Sequence, residues 1–126
     1  MNNKFVLTAT AIVIGLVGLA WSLIPATFVG FWEIEQGANA TYLGNRMGTL
    51  LLALGVTAWL VRKAPNTQTL RAFMFGAFFA LLLTVVQSVY GAAVLGYNTW
   101  APAFGESLLT FGYVWVLFIK PEPVIK

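Results

Sequence analysis

Long apolar stretches alternate with short polar links along this chain. Phe5 to Ile24, Thr41 to Val61, Phe73 to Leu95 and Trp100 to Ile119 each approach the ~20 residues an α-helix needs to cross the hydrocarbon core. A membrane barrel strand would alternate apolar and polar positions over ~10 residues. Runs such as Phe78-Phe79-Ala80-Leu81-Leu82-Leu83 do not. Backbone groups in lipid must be satisfied within their own segment, which leaves helices. The expected fold is all-α, an integral membrane antiparallel four-helix bundle. It forms a single domain over residues 1–126, with helices about 5–24, 41–61, 73–95 and 100–119. Short links favour up-down-up-down neighbours. The first stretch follows Lys4 as a secretory signal would. Its apolar run continues through Trp21 to Ile24, longer than a signal core, so a retained helix is expected.

Composition strengthens this picture. The chain is 60% hydrophobic and 9% charged, against about 25% charged in a soluble domain. Lipid must therefore be the solvent for most of its surface. The net charge of +3 reads as a topology signal and points to no nucleic-acid partner. Lys4, Arg62, Lys63, Arg71, Lys120 and Lys126 fall at the chain ends and in the middle link, and links 25–40 and 96–99 carry no Lys or Arg. Cytoplasmic segments are enriched in Lys and Arg, so both ends are expected in the cytoplasm. Trp21, Trp32, Trp100, Tyr42 and Tyr97 would mark the outer interface, and Trp59 and Trp115 the inner one. The expected location is a bacterial inner, or photosynthetic, membrane.

With no Cys and no His in the sequence, disulfides, thiolates and the commonest metal ligand and general base are absent. No phosphate-binding Gly loop, His-containing triad, paired acidic motif or zinc pattern occurs. No cofactor is predicted, although the aromatic surface leaves contact with pigment or lipid open.

Polar groups at membrane depth are the informative residues, because they are costly there. Counted from the basic ends at ~1.5 Å per residue, Ser22, Arg46, Gln87 and Glu106 all stand roughly 21–27 Å up. Helical spacing extends each into a stripe: Thr8, Gly15, Ser22; Arg46, Thr49, Ala53, Thr57; Thr84, Gln87, Ser88, Gly91; and Glu106, Thr110, Tyr113. Arg46 and Glu106 are expected to pair across the bundle, with Gln87 as a third partner. Three roles stay open. The pair could fix helix register, Arg46 could snorkel to the headgroups, or the layer could bind a ligand, ion or proton.

Gly44 and Gly48 have the spacing that lets helices approach closely. They point roughly opposite to Arg46, because two residues rotate a helix by ~200°. Their partner is expected to be either the first helix, with Ala11, Gly15 and Gly18 as small positions, or another protein. Phe28, Phe31 and Trp32, in an apolar loop too short to cross, are expected either to lie in the interface against lipid or a partner, or to fold over the bundle mouth.

Asn45-Arg46-Met47-Gly48 leading into Leu50-Leu51-Leu52-Ala53-Leu54-Gly55, then Trp59-Leu60 and a basic link, resembles many small four-span bacterial membrane proteins. The resemblance covers about one helix; it implies the topology and no activity. The leading functional expectation is a non-catalytic accessory or structural subunit of a larger respiratory, photosynthetic or oxidative membrane complex, in contact with lipids and other integral membrane proteins. The alternative is a small-molecule, lipid or ion binding or transport protein that uses the polar layer. An enzyme is the least favoured class.

Overall fold

A computed structural model describes residues 1–31 and 37–125, with the backbone alone at residues 29 and 38–40. Helix α1 spans Asn3–Leu23, α2 Pro25–Gly30, α3 Ala38–Val61, α4 Gln68–Ala93 and α5 Trp100–Val114, and α5 ends in a π-helical turn over Trp115–Ile119. No strand occurs among the described residues. Among the described residues three helical stretches are long and apolar enough to cross a membrane: Asn3–Leu23, Gln68–Ala93 and Trp100–Ile119. Helix α3 has the length, but Asn45 and Arg46 in its first half make it less apolar than the others.

Local chemistry sets the boundaries. The Asn2 carboxamide oxygen accepts from the Phe5 amide at 2.9 Å, capping α1. That helix stops at Ile24, because the residue before a proline is pushed out of the α region. Helix α4 starts at Gln68, five residues earlier than the apolar pattern suggested, because Thr67 caps it by accepting from the Leu70 amide at 3.3 Å. Its polar first turn is helical without being apolar. Gly96 has φ +75° and turns the chain between α4 and α5.

The helices pack as two antiparallel pairs. In the α1–α3 pair, a Cβ on Gly18 would stand 2.3 Å from the Leu52 amide nitrogen, and one on Gly48 would stand 2.5 Å from that of Ser22. A Cβ on Gly55 would meet the Gly15 Cα at 2.7 Å. The backbones touch, and only glycine fits at these crossings. Of the two partners left open for Gly44 and Gly48, the chain's own first helix takes the place. The Gly44 face meets the Trp21 ring.

In the α4–α5 pair, Phe75 and Phe78 meet Phe118 edge-on at 5.6 and 5.8 Å. The two pairs join at one end, around Val6, Leu7, Met74, Ala77, Tyr113 and Val116. There Thr10 Oγ1 and the Tyr113 hydroxyl share a hydrogen bond at 2.9 Å.

The same end is tied by its loops and tail. Asn66 Nδ2 donates to the carbonyls of Glu122 (2.7 Å) and Pro123 (3.1 Å), and its own carbonyl accepts from the Ile125 amide at 2.9 Å. The Glu122 carboxyl accepts from the Asn3 amide at 3.1 Å, at the start of α1, where the helix dipole favours an anion. Much of the outer surface is large and apolar, including Leu16, Leu50, Leu60, Leu83 and Phe104, and suits contact with lipid.

Candidate functional site

Toward the other end the two pairs part and enclose a cavity of about 490 Å³. Its floor is the upper edge of the core, where Ile14, Leu81 and Leu109 belong to both core and lining. Val13, Val17, Leu51 and Leu54 supply an apolar wall from α1 and α3. The polar lining comes from the opposite pair: Thr84, Gln87 and Ser88 on α4, Tyr97 and Thr99 in the turn, and Glu106 on α5.

The polar groups are positioned by a short relay. Ser88 Oγ donates to Glu106 Oε2 at 2.8 Å, tying α4 to α5. Thr99 Oγ1 donates to the Ser88 carbonyl at 2.7 Å. Thr99 also closes over Gly91, where a Cβ would stand 3.1 Å from its hydroxyl. Thr110 Oγ1 donates to the Glu106 carbonyl at 2.8 Å, which occupies that hydroxyl within its own helix. The Gln87 amide is exposed in the cavity wall and has no hydrogen bond to the described residues.

Helix α2 lies at the mouth. Phe28 meets the Trp21 ring edge-on at 5.9 Å, and both residues line the cavity. Phe28 therefore takes the folded-over position, whereas Phe31 is 71% exposed. Trp32 lies outside the described residues.

The expected layer is only partly assembled. Gln87 and Glu106 come to the same cavity, together with Ser88, Thr84 and Gly91 of the α4 stripe. Arg46 does not. Its side chain is exposed, its guanidinium carbon lies 5.9 Å from the Tyr42 ring one turn away, and no ion pair joins it to Glu106. The reason lies in the glycines of α3. The Gly44, Gly48 and Gly55 face is consumed by contact with α1, and Arg46 stands ~200° around the helix from it. The whole stripe of Arg46, Thr49, Ala53 and Thr57 is thereby turned outward. Glu106 takes a serine hydroxyl instead of a guanidinium.

On α1, Ser22 is partly buried, and its hydroxyl oxygen has no hydrogen-bond partner among the described residues. A Cβ on Gly15 would meet nothing within 4 Å, so Gly15 offers its backbone to Gly55 and its side-chain face to the outside.

Two positions were missed by the polar-layer reading. Ser88 was placed on a stripe but not recognised as the partner of Glu106, and Thr10 was not singled out at all. A signal for Thr10 was available. It sits one turn beyond Val6 and Leu7 on an apolar face, and it stands at nearly the same height above Lys4 as Tyr113 does above Lys120.

No family model and no solved structure matches the chain. Among curated proteins it is similar to the heme A synthase of Symbiobacterium thermophilum. The two are 31% identical over 103 residues, covering 76% of this chain and 32% of that protein. The chain thus spans about a third of the length of the curated relative it matches. That relative is an enzyme, which overturns the expectation that this chain is none. The expectation rested on missing nucleophile, phosphate-loop and metal motifs, and those signatures belong to particular reaction classes. Their absence does not exclude a membrane enzyme built on other groups.

Proposed function

We propose that this chain is a bundle that holds an apolar small molecule within the bilayer, in the cavity between its two helix pairs, as part of a membrane enzyme system. The observation that carries this reading is the cavity itself. It is apolar over most of its wall and carries convergent polar groups, Glu106, Ser88 and Gln87, on one side, the usual form of a small-molecule site. Similarity to a membrane enzyme supports the same direction. In this reading α3 also spans, which makes four crossings, and the basic links place both termini in the cytoplasm of a bacterial cell.

The name of the relative raises the question of haem. Haem iron is commonly held by His or Cys, and this chain has neither. Among the described lining residues the cavity offers the weak thioether of Met47, the phenol of Tyr97 and the carboxyl of Glu106 on separate elements, and no Lys or Arg to pair with an acidic substituent. This donor set does not fit haem as a resident cofactor.

The reading is tested by native mass spectrometry of the full chain released from gentle detergent, alongside Gly105→Phe. Gly105 lines the cavity, and a Cβ there would meet nothing within 4 Å, so the phenyl ring can enter the space. A defined small molecule retained by the wild type and lost from the folded variant supports the reading. Equal retention by both rejects it.

A second reading, membership of a larger membrane complex, draws on the outward stripe of α3. Arg46 faces away from the bundle at membrane depth, where lipid is a poor solvent for a charge, while Thr49 and Thr57 on the same stripe return their hydroxyls to the Asn45 and Ala53 carbonyls. A partner helix would cover Arg46. Capture of the chain from native membranes should then bring another membrane protein in fixed ratio, and Arg46→Leu should release it. Recovery of the chain alone counts against this second reading.

A further inference from the structure

Building on the ligand reading above, we infer that the cavity selects an amphiphile with an apolar body and one head group that donates hydrogen bonds and bears no negative charge. The shape of the lining gives the first half of this description. The floor at Ile14, Leu81 and Leu109 is apolar, and Glu106, Ser88 and Gln87 lie further from the closed end. A molecule that satisfies both regions has an apolar body directed toward the bundle core and one polar head beside Glu106.

Charge gives the second half. Among the described lining residues Glu106 is the only carboxyl, and none is Lys or Arg. The nearest candidate cation on α3, Arg46, is turned outward. An anionic head would enter a space of low polarity beside a carboxyl group with no counter-ion, which is disfavoured twice over. A donor head meets the opposite situation. Among the described residues the Glu106 carboxyl receives one hydrogen bond, that of Ser88, and a carboxyl group can accept several. The Gln87 amide oxygen is a further acceptor without a partner among the described residues. A carboxyl group with spare acceptor capacity stands here with no fixed cation among the described lining residues, while the Gln87 amide and the Tyr97 hydroxyl of the same lining donate as well as accept, so the site reads a hydroxyl or ammonium head.

The test is binding of four probes of equal chain length to the full chain in a neutral detergent, followed by the shift in thermal unfolding midpoint at matched mole fractions. The probes are dodecylamine, dodecanol, dodecanoate and dodecyl phosphate. The amine, the alcohol or both should raise the midpoint, and the two anions should not. Stabilisation by the amine alone assigns the head as cationic, and stabilisation by both assigns it as a neutral or cationic donor.

Glu106→Gln should weaken apparent amine affinity by about tenfold or more. Ser88→Ala, which frees an acceptor position on Glu106, should strengthen amine binding. That second variant keeps the test informative if the first is poorly folded. Equal stabilisation by all four probes, or amine binding unchanged in Glu106→Gln and lost in Ser88→Ala, overturns the head-group inference. If Gly105→Phe abolishes that binding all the same, the ligand reading survives without it. Binding of every probe unaffected by Gly105→Phe removes the ligand reading itself.

Discussion

Thr10 on the first helix and Tyr113 on the last share a hydrogen bond of 2.9 Å, and both side chains are 0% exposed. This contact fastens the two helix pairs at one end, and beyond it they part around the cavity. Replacing one partner leaves the other hydroxyl buried without a bond. Hydrogen bonds between membrane helices average ~0.6 kcal/mol and reach ~1.7, and an orphaned buried group pushes toward the upper figure. Thr10→Val and Tyr113→Phe are each expected to lower stability by about 1–2 kcal/mol. The double variant should cost less than the sum, because neither hydroxyl is then left alone. Reversible unfolding in mixed micelles measures all three.

The α1–α3 crossing makes an asymmetric prediction about glycines. At Gly18 and Gly48 an added methyl would overlap backbone atoms of the facing helix, at 2.3 and 2.5 Å. Neither helix can yield without moving as a body, so Gly18→Ala and Gly48→Ala should destabilise by about 1–3 kcal/mol or more. At Gly15 nothing lies within 4 Å, and Gly15→Ala should be neutral or stabilising by up to ~1 kcal/mol through helix propensity. Thermal midpoints of the three single variants decide it. Equal losses at all three sites would mean that the crossing is elsewhere.

Much of this architecture was legible in the sequence. Four apolar stretches gave four long helices, and the Gly44 and Gly48 spacing, read beside Gly15 and Gly18, named a close crossing. The α4 start was misjudged because a polar first turn capped by Thr67 carries no hydropathy signal. The fate of Arg46 turned on a competition between two faces of one helix. Depth and spacing placed Arg46 and Glu106 at one height, but height says nothing about azimuth. Azimuth was set by the glycines, whose contact with α1 leaves the opposite face outside. That Ser88 bonds Glu106 depends on the rotation of α4 against α5, which neither sequence alone specifies. The cavity was hidden for a related reason, because it arises where two pairs diverge and no single helix encodes divergence.

The tail ties make a separate prediction. Asn66 holds the backbone of Glu122 and Pro123, and Ile125 returns a bond to the Asn66 carbonyl. Asn66→Ala removes two of these hydrogen bonds and should cost about 1–2 kcal/mol locally. Carboxypeptidase should then trim the end of the chain faster than in the wild type, with little change in the global unfolding midpoint. Unchanged trimming would mean that the tail is held by other contacts.

Orientation can be tested cleanly because the chain has no Cys. Lys63→Cys and Asn98→Cys place single thiols in opposite links. With both termini in the cytoplasm, a membrane-impermeant maleimide should label Asn98→Cys in intact cells, and Lys63→Cys only after permeabilisation. The reverse pattern would invert the topology, and labelling of both in intact cells would contradict an odd number of crossings between them.

The central claim is that the space between the helix pairs holds a particular molecule rather than bulk lipid. The most direct measurement places a photo-crosslinking amino acid at Ala80, which is exposed in the cavity wall, and at Leu82, which is exposed and does not line it. After irradiation in native membranes, the adducts are read by mass spectrometry of the intact chain. The account predicts one discrete adduct mass at Ala80, absent in Gly105→Phe, and a mixture of membrane phospholipids at Leu82. The same phospholipid mixture at both positions, unaltered by Gly105→Phe, would contradict it.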